Sequence, residues 1–138
     1  MPSIAIVDTG PLYAWADRSD EHHDACRGIL ARPDFELIIP TMVVAEVTYF
    51  LGLRLGAPAE AGFLRALREF EVEAPLSAEW LRIAELVEQY ADFPLGGTDA
   101  SIVALAERLG TDLVITLDRR HLGAVRPRHV AALRLLPD

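Results

Sequence analysis

Three short runs of consecutive apolar residues limit what this chain can fold into: Ile4-Ala5-Ile6-Val7, Leu37-Ile38-Ile39, and Leu113-Val114-Ile115 followed by Thr116. None alternates with polar residues, so each reads as a strand buried on both faces. Sequence between them carries helix signals. Gly10-Pro11 starts a helix that continues to Ala16, with proline where no N–H is needed. A polar stretch over 18–24 leads into a second helix ending near Leu30. Thr41 is placed to cap a long helix over 42–55, which Gly56 ends. Pro58 opens a further helix reaching Phe70, and 72–74 is a short strand candidate. Ser77 and Thr98 are expected caps for helices over 78–90 and 98–109, with the Pro/Gly loop 93–97 between them and Gly110 as a stop. Residues 119–125 read as a loop or helical turn, and 130–136 as an edge strand. Continuous strands alternating with helices predict one α/β domain over residues 1–138. Its mostly parallel central sheet, of about four to five strands, lies between helices as an α/β/α sandwich.

Composition narrows the function. The net charge of −8 argues against a nucleic-acid coat protein, whose affinity would come from many phosphate contacts. All 13 basic residues are arginine, which excludes any mechanism needing a lysine. Arg119, Arg120, Arg126, Arg128 and Arg134 occur in a segment, 119–134, that contains no acid. Cys26 is the only cysteine, so neither an internal disulfide nor a cysteine metal cluster is available. No apolar run approaches the roughly 18–20 residues of a membrane span, and the N-terminus lacks the basic start of a secretory signal. A cytoplasmic protein without a membrane partner is expected.

Four acids stand out by position. Ligands of open parallel sheets bind beyond the carboxyl ends of the strands. Asp8 follows the first strand there, and Asp118 follows the Leu113–Thr116 strand. Glu46 shares a helix face with Met42, Val43, Tyr49 and Phe50, and Asp99 shares one with Ile102 and Val103. Taken singly, Asp8 reads equally as a helix cap, Asp99 as a first-turn acid, Asp118 as a turn residue and Glu46 as a boundary residue. Converging carboxylates would repel and raise one another's pKa values. A divalent cation removes that conflict, and Mg²⁺ and Mn²⁺ prefer oxygen ligands. Asp92 reads as a solvated loop acid. His22 and His23 diverge on a helix, and His121 and His129 are expected at the surface of the basic segment.

At this point the sequence resembles the PIN-domain family, and within it the VapC-type toxins. The resemblance is carried by Ile6-Val7-Asp8-Thr9, by Thr41-Met42-Val43-Val44-Ala45-Glu46-Val47, by 98–106 beginning Thr98-Asp99-Ala100-Ser101, and by Thr116-Leu117-Asp118-Arg119-Arg120-His121-Leu122. These pieces occur in the family's order and span nearly the whole chain. The resemblance implies a Mg²⁺- or Mn²⁺-dependent endoribonuclease whose catalytic and metal-binding residues are Asp8, Glu46, Asp99 and Asp118. It implies products with 5′-phosphate and 3′-hydroxyl ends, a homodimer, and a cognate antitoxin covering the acidic groove. Thr9 and Thr116 match hydroxyl positions that orient a ligand or water. Arg119, Arg120, Arg126 and Arg128 are candidates to guide the RNA backbone. Leu51, Leu53, Leu55, Phe63 and Leu67 are candidates for the antitoxin or dimer interface, or for the core. Two departures are visible: Gly10 stands where the family commonly has serine, and Leu122 where it often has phenylalanine.

Asp8-Thr9-Gly10 also matches the wording of an aspartic protease, but that fold is all-β. A phosphorelay receiver needs a lysine, and an aspartyl phosphatase an Asp-x-Asp pair; neither is present. The remaining alternative is a catalytically inactive PIN-like module that binds RNA or protein.

Overall fold

The computed structural model describes residues 1–138. Five strands form one sheet: β1 (Ser3–Val7), β2 (Phe35–Pro40), β3 (Glu71–Glu73), β4 (Leu113–Ile115) and β5 (Arg134–Leu136). Their order is β3-β2-β1-β4-β5, and every neighbouring pair is parallel. Helices α1 (Thr9–Ala16) and α2 (His23–Leu30) join β1 to β2, and α3 (Thr41–Leu55) and α4 (Ala57–Ala66) join β2 to β3. Helices α5 (Glu79–Gln89) and α6 (Gly97–Leu109) carry the chain back to β4, and α7 (Arg119–Ala124) leads to β5. Right-handed crossovers put the helices that lead outwards from β1 on one side of the sheet and the returning helices on the other.

The apolar runs become the core as expected. Ala5, Ile6, Val7, Val114 and Ile115 are fully buried, and with Ile39, Leu12, Val43, Val47, Ile102 and Val103 they belong to a single cluster. A parallel strand that is covered on both faces needs such a sequence. Progress along the sheet reverses at β1, since β2 and β3 lie on one side and β4 and β5 on the other. The ends of β1 and β4 therefore flank a topological switch point, where an open crevice forms.

Several boundaries differ from the sequence expectations. Thr41 is the first residue of α3, and Pro40 occupies the cap position without a side-chain bond. Ala78, not Ser77, precedes α5, and the Leu76 amide donates to Glu79 Oε1 at 2.7 Å. Helix α6 begins at Gly97, so Thr98 is no cap and its hydroxyl is used elsewhere. The helix opened by Pro58 stops at Ala66 and tightens into a 3₁₀ turn over Leu67–Glu69. The edge strand shrinks to Arg134–Leu136, while Arg119–Ala124 forms a complete short helix. The stop at Gly110 holds: its φ of 67° is the left-handed conformation that glycine adopts without strain.

The interface candidates divide between core and surface. Leu51 and Phe63 are buried and Leu67 is half-buried against the core, whereas Leu53 and Leu55 are exposed together with Tyr49 and Leu64. A second exposed apolar group, Leu76, Trp80 and Leu81, lies at the start of α5.

Ile6 lies at the centre of β1 with no solvent exposure. Truncating it removes apolar contacts between its face of the sheet and the helices packed there, and leaves a cavity. Ile6→Ala is expected to lower stability by about 2–5 kcal/mol in urea unfolding; a loss below about 1 kcal/mol would show that the sheet centre is not close-packed.

Candidate active site

Parallel pairing of Val7 with Ile115 leaves Asp8 and Thr116 side by side as the first residues past the two strands. The Asp8 amide still donates to Ile115 O at 2.9 Å, so the position of Asp8 is fixed by the sheet itself. Its carboxylate accepts from the Thr9 amide at 2.7 Å, which caps α1, and from Thr116 Oγ1 at 2.7 Å. Asp8 is thus both a cap and a pocket residue.

Thr116 Oγ1 also accepts from the Asp118 amide at 2.9 Å. One hydroxyl therefore ties the first acid to the turn that presents the last. Asp118 caps α7, its Oδ1 accepting from the His121 amide at 3.1 Å. His121 Nδ1 lies 2.9 Å from Asp118 Oδ2. The side chain of His121, expected at the surface, is thus partly buried beside the acids; its position three residues after Asp118 on a helix was the available signal.

Glu46 approaches from α3. Thr9 Oγ1 donates to Glu46 Oε1 at 2.7 Å, and Thr98 Oγ1 donates to Oε2 at 2.9 Å. Each oxygen is held by a hydroxyl from a different helix. The expectation that Glu46 lies along an apolar stripe is not met. The buried line of α3 is Val43, Val47 and Leu51, and Glu46 sits one residue, about 100°, away from it. Glu46 is exposed at the pocket rim, and Tyr49, expected on the same apolar face, is 64% exposed.

Asp99 lies in the first turn of α6, followed at three and four residues by the fully buried Ile102 and Val103. It is the one acid of the four without a hydrogen bond from a protein donor. Its carboxyl pKa is pushed up to about 7, chiefly by burial and then by the charges of Asp8 and Asp118. Burial likewise raises the pKa of Asp8, against the lowering effect of its bonds from Thr116 and Thr9.

The four acids line one open cleft of about 340 Å³ with Thr9, Thr98, Gly96 and Gly97. No hydrophobic or basic side chain lines it. Four carboxylates with no lysine or arginine in the lining, and only the His121 imidazole beside Asp118, suit a hard divalent cation with oxygen ligands. The other sequence candidates lie outside it. Arg119 Nη1 donates to Pro137 O at 2.9 Å and to Leu135 O at 3.3 Å. Arg128 pairs with Glu85 at 3.0 Å, and its amide donates to Glu107. Arg120 and Arg126 are exposed without ion pairs, and Asp92 is exposed in the loop before α6.

In the metal-free protein the raised Asp99 pKa has a definite sign. Between its ordinary 3.8 and about 7, the folded chain holds a proton that the unfolded chain has released. Stability from this group is therefore lost as pH rises through that window. Asp99→Asn is expected to raise the thermal midpoint of metal-free protein at pH 8 and to change it much less at pH 4. Equal shifts at both pH values would contradict the electrostatic account.

A PIN-domain family model matches residues 5–126. Ribonuclease VapC26 of Mycobacterium tuberculosis (strain ATCC 25618 / H37Rv) is 36% identical over 124 residues, covering 88% of this chain and 92% of its own. Among solved structures, M. tuberculosis VapC20, described as a sarcin-ricin loop cleaving toxin, has a TM-score of 0.76 at 19% identity, over 83% of this chain and 90% of that one. A chain of VapBC2 from Rickettsia felis, bound to a DNA fragment from its promoter, has a TM-score of 0.70 at 16% identity, over 97% and 99%. FitAcB from Neisseria gonorrhoeae gives 0.56 at 15% identity, over 85% and 89%.

Proposed function

This chain belongs to the PIN-domain family, and we propose that it is the toxin of a type II toxin–antitoxin pair, an endoribonuclease dependent on Mg²⁺ or Mn²⁺. The observation that carries this reading is the convergence of Asp8, Glu46, Asp99 and Asp118 on a cleft with no arginine in its lining. The similarity to Ribonuclease VapC26 supports the activity and its RNA substrate.

Asp8, Asp99 and Glu46 are the proposed ligands, with Asp118 holding a second ion or a water. Bound Mg²⁺ or Mn²⁺ supplies the Lewis acidity that phosphodiester hydrolysis needs. Asp99 has no competing protein donor, so its carboxylate is free to bind. Thr9 and Thr98 hold both oxygens of Glu46, and Thr116 holds Asp8. These bonds fix the ligand oxygens before any ion arrives, which lowers the cost of assembling the site. Hydrolysis adds the oxygen of water to phosphorus and breaks the P–O3′ bond. A proton ends on the 3′ oxygen, giving 5′-phosphate and 3′-hydroxyl products. Arg119 and Arg128 are engaged within the chain, so electrostatic guidance of the RNA backbone falls to Arg120 and Arg126.

An antitoxin is the proposed protein partner, supported by the VapBC2 likeness in fold. The exposed Tyr49, Leu53 and Leu64 of α3 and α4 give a protein partner, antitoxin or second copy, an apolar surface to cover. No helix is long and apolar enough to cross a membrane, and the cytoplasm is the proposed compartment.

RNA cleavage with sequenced ends, in Mg²⁺, Mn²⁺ or chelator, tests the reading. Metal-dependent cleavage is expected, with 5′-phosphate ends and at least a 100-fold loss in Asp8→Asn while the variant keeps its fold. Cleavage that persists undiminished in chelator or in the variant rejects it. An inactive binding module would instead retain RNA or partner binding with no cleavage in any metal.

A further inference from the structure

We propose that His121 is a positioning residue for this pocket, fixing the Asp118 carboxylate through its Nδ1–H while Phe93 fixes the imidazole. The proposal rests on the reading of the pocket given above.

Asp118 already has a structural duty, because its Oδ1 caps α7 by accepting from the His121 amide at 3.1 Å. Helix capping needs nothing more. The imidazole adds a second restraint: Nδ1 stands 2.9 Å from Oδ2 and 3.2 Å from Oδ1. Since both carboxylate oxygens are acceptors, Nδ1 carries the proton, and the neutral ring suffices for this role. A carboxylate held at the backbone on one oxygen and by a ring on the other cannot rotate about its last bond without losing both.

The ring is itself restrained. Phe93 meets it edge to face, with centroids 5.2 Å apart and planes at 87°. Phe93 belongs to the loop that leads into α6, and that loop is anchored at its start, where the Phe93 and Leu95 amides donate to Tyr90 O at 3.0 and 3.2 Å. The Tyr90 hydroxyl in turn accepts from the Arg126 amide at 3.0 Å, just beyond α7. Two contacts thus join the segment before Asp99 to the segment after Asp118. Oxygen atoms of these two acids and a His121 nitrogen all lie within 4.8 Å of one another. Metal-ligating carboxylates depend on such outer partners, whose removal commonly costs about 10- to 100-fold in metal affinity.

The test uses the full chain with Mn²⁺ as the probe. Affinity is measured by calorimetry for wild type, His121→Ala, His121→Asn and Phe93→Leu, alongside kcat and KM for RNA and the thermal midpoint without metal. His121→Ala is expected to weaken Mn²⁺ binding about tenfold or more and to lower kcat, with KM for RNA little changed. His121→Asn places an amide N–H near the Nδ1 position and is expected to recover most of that loss. Phe93→Leu is expected to fall between wild type and His121→Ala. Pulsed electron paramagnetic resonance of the Mn²⁺ complex is expected to show no directly bound imidazole nitrogen. Unchanged affinity in His121→Ala overturns the proposal, as does a directly bound nitrogen, which would make His121 a ligand. A loss of affinity that merely tracks a lowered thermal midpoint also overturns it. A wild-type chain that binds no Mn²⁺ and cleaves no RNA sinks the underlying reading, and the role of His121 with it.

Discussion

Parallel pairing of β1 with β4 sets everything that follows at the pocket. The register Val7 to Ile115 brings Asp8 and Thr116 out of the sheet together, more than 100 residues apart in sequence. The Thr116 hydroxyl then serves two groups, donating to Asp8 and accepting from the Asp118 amide. A slip of one residue would turn Thr116 to the opposite face and break both links. Such a slip is prevented by the core, since Ile6, Val7, Val114 and Ile115 are fully buried. Packing of apolar strands thus fixes the distance between two carboxylates that repel each other.

The arginines explain how so acidic a pocket survives in a folded chain. Arg82 binds Glu107 through two nitrogens at 2.9 and 2.8 Å, and Arg108 pairs with Glu79 at 2.9 Å. Arg128 joins the same group through Glu85. These pairs lash α5 to α6 and to the segment after α7, away from the cleft. Arg82 and Glu107 are both largely buried; burial pushes the Glu107 carboxyl up, but the bonds and charges of Arg82 and Arg128 more than offset it and hold its pKa below the ordinary value. Charge pairing therefore stabilises the helical layer while the cleft is left with one sign of charge.

The sheet was legible in the sequence because a strand buried on both faces has little choice but to be continuously apolar. Runs around Ile6, Ile38 and Val114 announced β1, β2 and β4. Strands β3 and β5 are three residues long and lie at the edges, so their burial is partial and their pattern weak. The acids at strand ends were legible from topology alone. Glu46 was reached for a reason the fold does not support: hydrophobic neighbours at helical spacing suggested burial, but α3 turns Val43 and Val47 inwards and leaves Tyr49 in solvent. Thr98 suits a local cap by pattern, because hydroxyls before helices usually take that role. Its partner is instead 52 residues away, a contact no local pattern encodes. His121 is the opposite case: its partner Asp118 is only three residues away, but that spacing points to the contact only once α7 is known to be a helix, and α7 is six residues long.

The pattern of bonds around the four carboxylates has a consequence for function. Glu46 and Asp8 are held by hydroxyls and Asp118 by an imidazole and an amide, so three acids are oriented without being neutralised. None of these donors carries a fixed positive charge, and the chain has no lysine to supply one. Asp99, without a donor, is the group on which the accumulated repulsion falls, and its pKa rises to about 7. At neutral pH a protein built this way holds its own proton at Asp99 or takes a cation from solution. An arginine in the cleft would relieve the same repulsion permanently, and the cleft would then hold no vacancy for a metal. Threonine hydroxyls in place of arginines therefore separate the geometry of the site, which the fold provides, from its charge balance, which must come from outside.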